Sequence, residues 1–347
     1  MPDKLNKSLA NRLPVSIVTG FLGSGKTTLI NHLVKQRGME STALIINEFG
    51  EIGLDNLLVE SAIENTLLLE NGCICCSIRG DLVDTISDLF AKVKNRQIPQ
   101  FSRILIETTG LADPGPILES MEKETAVTDR CRVDCVVAIV DGLQGTAQTK
   151  KFEEAVVQVA HADIGLISKC DLSSIDEIGQ LKENLSNINP TLVVRTVKHG
   201  QIDPDFLFSG PIQNSAHPVV SGRKDGHKSH RHKVDDGEFH HGDISSWSFI
   251  SETPLDEVRL REWLSMVYSL RPYAMLRMKG IIRLSNSDQP TLMEGVGNVV
   301  SPPRFLESWP EKQQKTQLEQ TEKIFVAPLF LEKQNELLCQ NLLDLFP

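Results

Sequence analysis

Four stretches of this chain combine residue types and spacings that could do chemistry. Gly20-Phe-Leu-Gly-Ser-Gly-Lys-Thr27 follows an apolar run and opens a helical pattern. Its spacing is G-x-x-x-x-G-K-T, in which glycines let backbone N–H groups close on phosphate oxygens. Lys26 would reach the β- and γ-phosphates and Thr27 would offer a hydroxyl to Mg²⁺, with Gly20, Gly23, Ser24, Gly25 and Thr28 completing the loop. The positive end of the following helix adds to the same anion site.

The second stretch is Ser168-Lys-Cys-Asp171, placed after another apolar run. A carboxylate at Asp171 can accept from both the N1–H and N2–H₂ of guanine, a donor pair that adenine lacks. The stem of Lys169 can lie along the base face. Many guanine-binding motifs begin with Asn; the Ser here predicts weaker bracing of the phosphate loop, and a plain solvated turn is the alternative. Third, Glu107-Thr-Thr-Gly110 closes an apolar run. Glu107 could hold Mg²⁺ through water or orient an attacking water, and the Gly110 N–H could contact the γ-phosphate. Gly110 to Gly115 would then be a switch that senses that phosphate. The segment 46–55 would be a first switch carrying Glu48 and Asp55, for which surface acid is the competing explanation.

The fourth stretch, Asn71-Gly-Cys-Ile-Cys-Cys-Ser77, puts three of the seven cysteines into four positions. Zinc thiolate bonds of about 2.3 Å need sulfurs that converge. A regular strand would send Cys75 and Cys76 to opposite faces, so a turn at Gly72 is expected to bring two or all three of Cys73, Cys75 and Cys76 together. Three thiolates leave a fourth position for water, histidine or another protein, and soft ligands favour Zn²⁺ or Cu⁺ over Mg²⁺. Core filler and a redox pair are the alternatives. Cys131, Cys135, Cys170 and Cys339 are scattered and read as core.

These stretches must be positioned by a scaffold, and the sequence outlines one. Apolar runs at 14–19, 42–47, 103–107, 133–141, 163–168 and 191–196 read as strands, with helical patterns at 81–93 and 150–160 between them. Near-continuous apolar strands alternating with helices predict an α/β fold, a doubly wound and mostly parallel sheet. From 201 to 244 the pattern fails, and six of the nine histidines lie between His217 and His241. This reads as a linker able to collect metal ions, or one merely biased in composition. From 245 to 347 strands and helices predict a smaller C-terminal α+β domain with an antiparallel sheet, leaving 1–200 as the nucleotide domain. The net charge of −10 argues against nucleic acid or anionic lipid as a partner. No apolar run reaches the roughly 20 residues of a membrane span, no leader is evident, and unpaired cysteines suggest the cytoplasm.

Gly20–Ile30, Asn47–Asp55, Glu70–Leu82 and Glu107–Pro116, in this order, resemble the CobW-type metallochaperone GTPases, relatives of UreG and HypB. The resemblance implies a Mg²⁺-dependent GTPase that carries Zn²⁺, or another transition metal such as Co²⁺, to a client metalloprotein. It implies Gly20–Thr28 as the phosphate loop, Cys73, Cys75 and Cys76 as metal ligands, Glu107–Gly110 as the switch element and Ser168–Asp171 as the base motif. A homo-oligomer paired through the nucleotide face is left open. Two other classes compete: a small-molecule kinase using the same loop, and a metal-buffering protein in which nucleotide is structural.

Overall fold

A computed structural model describes residues 12–46, 62–63, 66–68, 74–77, 82–208, 245–246, 249–251, 254–270, 275–287, 289–297, 299–301, 303–306, 308–309 and 324–330. The chain divides into two compact units, one holding Asn11–Asn187 and Leu192–Ser215, the other drawing chiefly on Ala216–Pro347.

In the first unit the apolar runs become strands: β1 (Leu13–Thr19), β2 (Thr42–Ile46), β3 (Ala62–Ile63), β4 (Thr66–Leu68), β5 (Ile74–Ser77), β6 (Arg103–Glu107), β7 (Cys131–Asp141), β8 (Ile164–Ser168) and β9 (Val193–Thr196). They form one sheet in the order β3-β4-β5-β2-β6-β1-β7-β8-β9. Pairing is parallel from β5 through β9, and β3 and β4 run antiparallel at one edge. Every residue of β2 and β8 is buried, as strands covered on both faces require. The helices are α1 (Lys26–Leu33), α2 (Leu82–Lys94), α3 (Gly115–Lys123), α4 (Thr125–Thr128), α5 (Gly145–Lys151), α6 (Glu153–His161), α7 (Ile175–Ile188) and α8 (Pro204–Phe208). Leu29, Ile30 and Leu33 of α1 pack with Val18, Leu44, Leu105 and Val137 of the sheet in one core.

Three expectations change. The helix predicted over 150–160 is two helices, because Phe152 adopts an extended backbone (φ −122°, ψ 122°) between α5 and α6. The segment predicted as a linker from 201 begins with a folded portion. Leu207 is 1% exposed, Ile202, Phe206 and Phe208 pack on the core, and the Gln36 Nε2 donates to the Ile202 carbonyl at 2.9 Å. Averaged composition hid these apolar residues among Asp and Pro. Finally, the backbone at Ile74–Ser77 is strand, not the expected turn.

In the second unit an antiparallel sheet is built from β10 (Ser245–Ser246), β11 (Phe249–Ser251), β12 (Met275–Arg283), β13 (Pro290–Val296), β14 (Val299–Val300), β15 (Arg304–Phe305) and β16 (Ile324–Phe330). A helix, α9 (Glu257–Leu270), buries Leu260, Trp263 and Leu264. This is the α+β architecture predicted. The helix expected over 331–346, the histidines from 217 to 241, and Cys73, Glu48 and Asp55 lie outside the described residues.

Candidate functional site

The expected nucleotide elements gather at the carboxyl ends of β1, β6 and β8, on either side of β1, where the chain order of a doubly wound sheet reverses. Gly20, Gly23 and Gly25 have φ of 144°, 70° and 100°, so the loop between β1 and α1 needs their conformations. At Gly20 space is also decisive: a Cβ would lie 2.3 Å from the Ile139 carbonyl oxygen. Lys26 is buried inside this loop, its ammonium donating to the carbonyls of Gly20 at 2.8 Å and Phe21 at 3.3 Å.

The Ser168–Asp171 loop is tied to the phosphate loop twice. The Ser168 hydroxyl donates to the Ser24 carbonyl at 2.6 Å. Thus the serine itself braces the loop, and the predicted weakening is corrected. Lys169, at φ 51°, donates to the Gly23 carbonyl at 2.7 Å and pairs with Asp141 at 2.6 Å. Asp141 in turn accepts from the backbone N–H of Leu143 at 2.8 Å and Gln144 at 3.1 Å. Asp171 stands exposed in the short 3₁₀ turn Cys170–Leu172, an acceptor facing solvent beside these anchored residues.

Glu107 ends β6 with 5% exposure, and the Thr27 hydroxyl lies 3.5 Å from its Oε1. A hydroxyl and a carboxylate at that separation are hard oxygen donors, the set that suits Mg²⁺. Beyond Glu107, Thr108 is fixed by its backbone N–H to Val18 at 3.0 Å and its hydroxyl to Thr19 at 2.9 Å. Gly110 then passes under the phosphate loop so closely that a Cβ there would sit 2.5 Å from Leu22 Cδ2 and 3.0 Å from Leu22 Cα.

Helix α6 holds the rest of this segment. Gln158, 1% exposed, donates from Nε2 to the Gly110 carbonyl at 3.2 Å and the Ala112 carbonyl at 3.0 Å. One turn on, His161 Nε2 lies 3.6 Å from Asp113 Oδ1, which also accepts from the Gly115 N–H at 2.7 Å. Burial pushes the Asp113 carboxyl above its usual range, and that N–H opposes the shift. Sequence reasoning missed Asp141 and Gln158. Each carried a signal: an acid ending an apolar run, and a lone glutamine within Ala155–Ala160.

The cysteine strand belongs to the same sheet. Ser77 pairs with Ile46, Ile46 with Glu107, and Glu107 with Val18, so Cys76 is one residue below the level of Glu107. Two strand spacings separate the backbones of β5 and β6, roughly 10 Å. Among the described residues no group of three His, Cys, Asp or Glu could hold a metal ion, and none of the helices is long and apolar enough to cross a membrane.

Residues 14–195 match the CobW/HypB/UreG nucleotide-binding domain, and residues 244–321 match the cobalamin synthesis protein cobW C-terminal domain. The chain belongs to this family, and by fold and family it is a P-loop GTPase. It is similar to the zinc chaperone YjiA of Escherichia coli, with 34% identity covering 84% of this chain and 88% of that one. It is 29% identical to zinc-regulated GTPase metalloprotein activator 1 of Schizosaccharomyces pombe over 56% of this chain and 48% of that protein. The crystal structure of Zn(II)-bound E. coli YjiA GTPase superposes with a TM-score of 0.71 and 28% identity, covering 97% of this chain and all of that one.

Proposed function

We infer that this GTPase is a metallochaperone that binds a transition metal, zinc foremost, through the Cys73, Cys75 and Cys76 motif and passes it to a client metalloprotein as GTP is hydrolysed. Cys73 and one of the adjacent pair share the ion, because successive strand residues alternate faces. The observation that carries this is the strand register, which sets the backbone of Cys76 one residue below Glu107 and two strands away. The zinc-chaperone names of its relatives support the choice of ion.

In this scheme the N–H groups of Gly20–Thr28 and the Lys26 ammonium hold the phosphates, while Asp171 reads guanine. Thr27 and Glu107 would hold Mg²⁺, which when bound neutralises charge on the phosphate oxygens. The Gly110 N–H meets the γ-phosphate. Loss of that phosphate releases the segment from Gly110, beyond the strand two places from the cysteine strand, and the one that follows β2, the cysteine strand's neighbour. The thiolates then lose their preformed arrangement and the ion passes on. Linkage makes the coupling reciprocal, so bound metal must shift nucleotide affinity by the same factor. Zinc titrations of the protein with a non-hydrolysed GTP analogue and with GDP test this. Tighter zinc binding in the analogue complex is expected; equal affinities would remove the mechanism.

A further inference from the structure

We propose that Gln158 is a positioning residue for GTP hydrolysis, acting by clamping the carbonyls of Gly110 and Ala112 so that the phosphate-sensing segment is held ready beside the phosphate loop. The inference rests on the GTPase assignment and adds a residue outside every nucleotide motif.

Both acceptors of the clamp are carbonyls, so chemistry fixes which end of the amide faces them: only the NH₂ group can donate. Its two hydrogens serve two carbonyls two residues apart, at 3.2 and 3.0 Å. Because a trans peptide points its N–H opposite to its C=O, pulling the Gly110 carbonyl toward α6 turns the Leu111 N–H away from that helix. The other end of the amide gains no protein partner: Gln158 Oε1 is buried without a donor. That unmatched oxygen is a cost, borne at a position whose other end supplies donors to two carbonyls of the segment.

The same helix also touches the phosphate loop. Phe152, at its start, stacks on Phe21 with ring centroids 4.7 Å apart. Leu22 of that loop lies against Gly110. Helix α6, the phosphate loop and the sensing segment therefore close a ring of direct contacts, in which Gln158 supplies the hydrogen bonds beside the His161–Asp113 pair. Reacting groups need positions good to a fraction of an ångström, and a shift of about 1 Å can lower a rate roughly 100-fold.

The test compares wild type with Gln158→Met, which keeps the volume and removes both donors, and with Gln158→Glu. Hydrolysis is read at saturating GTP with Mg²⁺, alongside KM, GDP affinity and the thermal midpoint. For Gln158→Met, kcat is expected to fall roughly 10- to 100-fold, with KM and GDP affinity within about twofold. For Gln158→Glu, the carboxylate repels both carbonyls, but a protonated acid regains one donor. Its rate relative to wild type should therefore rise as pH falls. Unchanged kcat in the Met variant, a parallel loss of GDP affinity, or a pH-independent ratio for the Glu variant would each overturn the proposal. If the Met variant does not fold, the pH ratio of the Glu variant decides. A wild type that hydrolyses no GTP would instead overturn the assignment beneath it.

Discussion

Replacing Ser168 by alanine removes one oxygen and isolates a single link between the Ser168–Asp171 loop and the phosphate loop. The hydroxyl is buried and donates to the Ser24 carbonyl at 2.6 Å, with the Val140 carbonyl a second acceptor at 3.3 Å. Stripping a buried carbonyl of its donor costs about 1–3 kcal/mol. Lys169 still holds Gly23 at 2.7 Å, which keeps the loop from losing its shape outright. The expected loss is therefore at the lower end, about 1 kcal/mol or roughly fivefold in affinity. It should be the same for GTP and GDP, because Ser24 lies in the phosphate loop and not in the segment proposed to sense the γ-phosphate. Titration with fluorescent GTP and GDP analogues measures both constants, and Ser168→Thr, which keeps a hydroxyl, should recover most of the loss. Affinities unchanged in Ser168→Ala would show that the serine braces nothing. A loss confined to GTP would place its effect on the wrong segment.

Asp171→Asn replaces an acceptor pair with one acceptor and one donor, so under the proposed base reading guanine loses a charged hydrogen bond of about 1.5–3 kcal/mol. Competition binding should show GTP weakened at least about tenfold and xanthosine triphosphate, whose C2 oxygen can accept, strengthened; equal losses for both would argue against base reading here. The Cys131 thiol is pushed by burial from 9.0 to about 12. The folded state holds this proton more tightly than the unfolded chain, so its contribution to stability is complete below pH 9 and is lost as pH rises towards 12. Denaturant unfolding at pH 8 and pH 10.5 should show the drop shrinking in Cys131→Ala; an identical drop would assign it to other groups.

The sequence was readable wherever one local pattern had one structural solution. The runs around Val15–Val18, Ile104–Ile106 and Val136–Val140 are buried strands because no other element of that length hides every side chain. Gly20 could be assigned from its motif, and the 2.3 Å approach to Ile139 gives the physical reason. What escaped notice depended on partners distant in sequence. Gln158 acquires its role only when α6 is laid against a segment 46 and 48 residues earlier. Asp141 matters because β7 and β8 are adjacent, which lets Lys169 reach it. Strand β5 was missed for a related cause: Ile74–Ser77 is too short and too rich in cysteine to announce a strand, and its pairing with Ala43–Ile46 supplies the hydrogen bonds.

That pairing also limits how nucleotide and cysteines can influence one another. Ile46 is 2% exposed and stands between Ser77 and Glu107, in register with both. Sliding such a strand by one residue would send each buried side chain to the opposite face, a rearrangement far larger than the few kcal/mol at which allosteric coupling operates. The sheet is therefore a fixed frame, and a signal between Glu107 and the cysteine strand has to travel through segments at the carboxyl ends of the strands. One of these, from Gly110 to Asp113, is gripped from behind by α6 and faces the phosphate loop at Leu22. A device of this build transmits a change of loop position while its strands stand still. Metal affinity in the proposed scheme should accordingly respond to substitutions in those end segments and be indifferent to conservative exchanges of buried residues within β2.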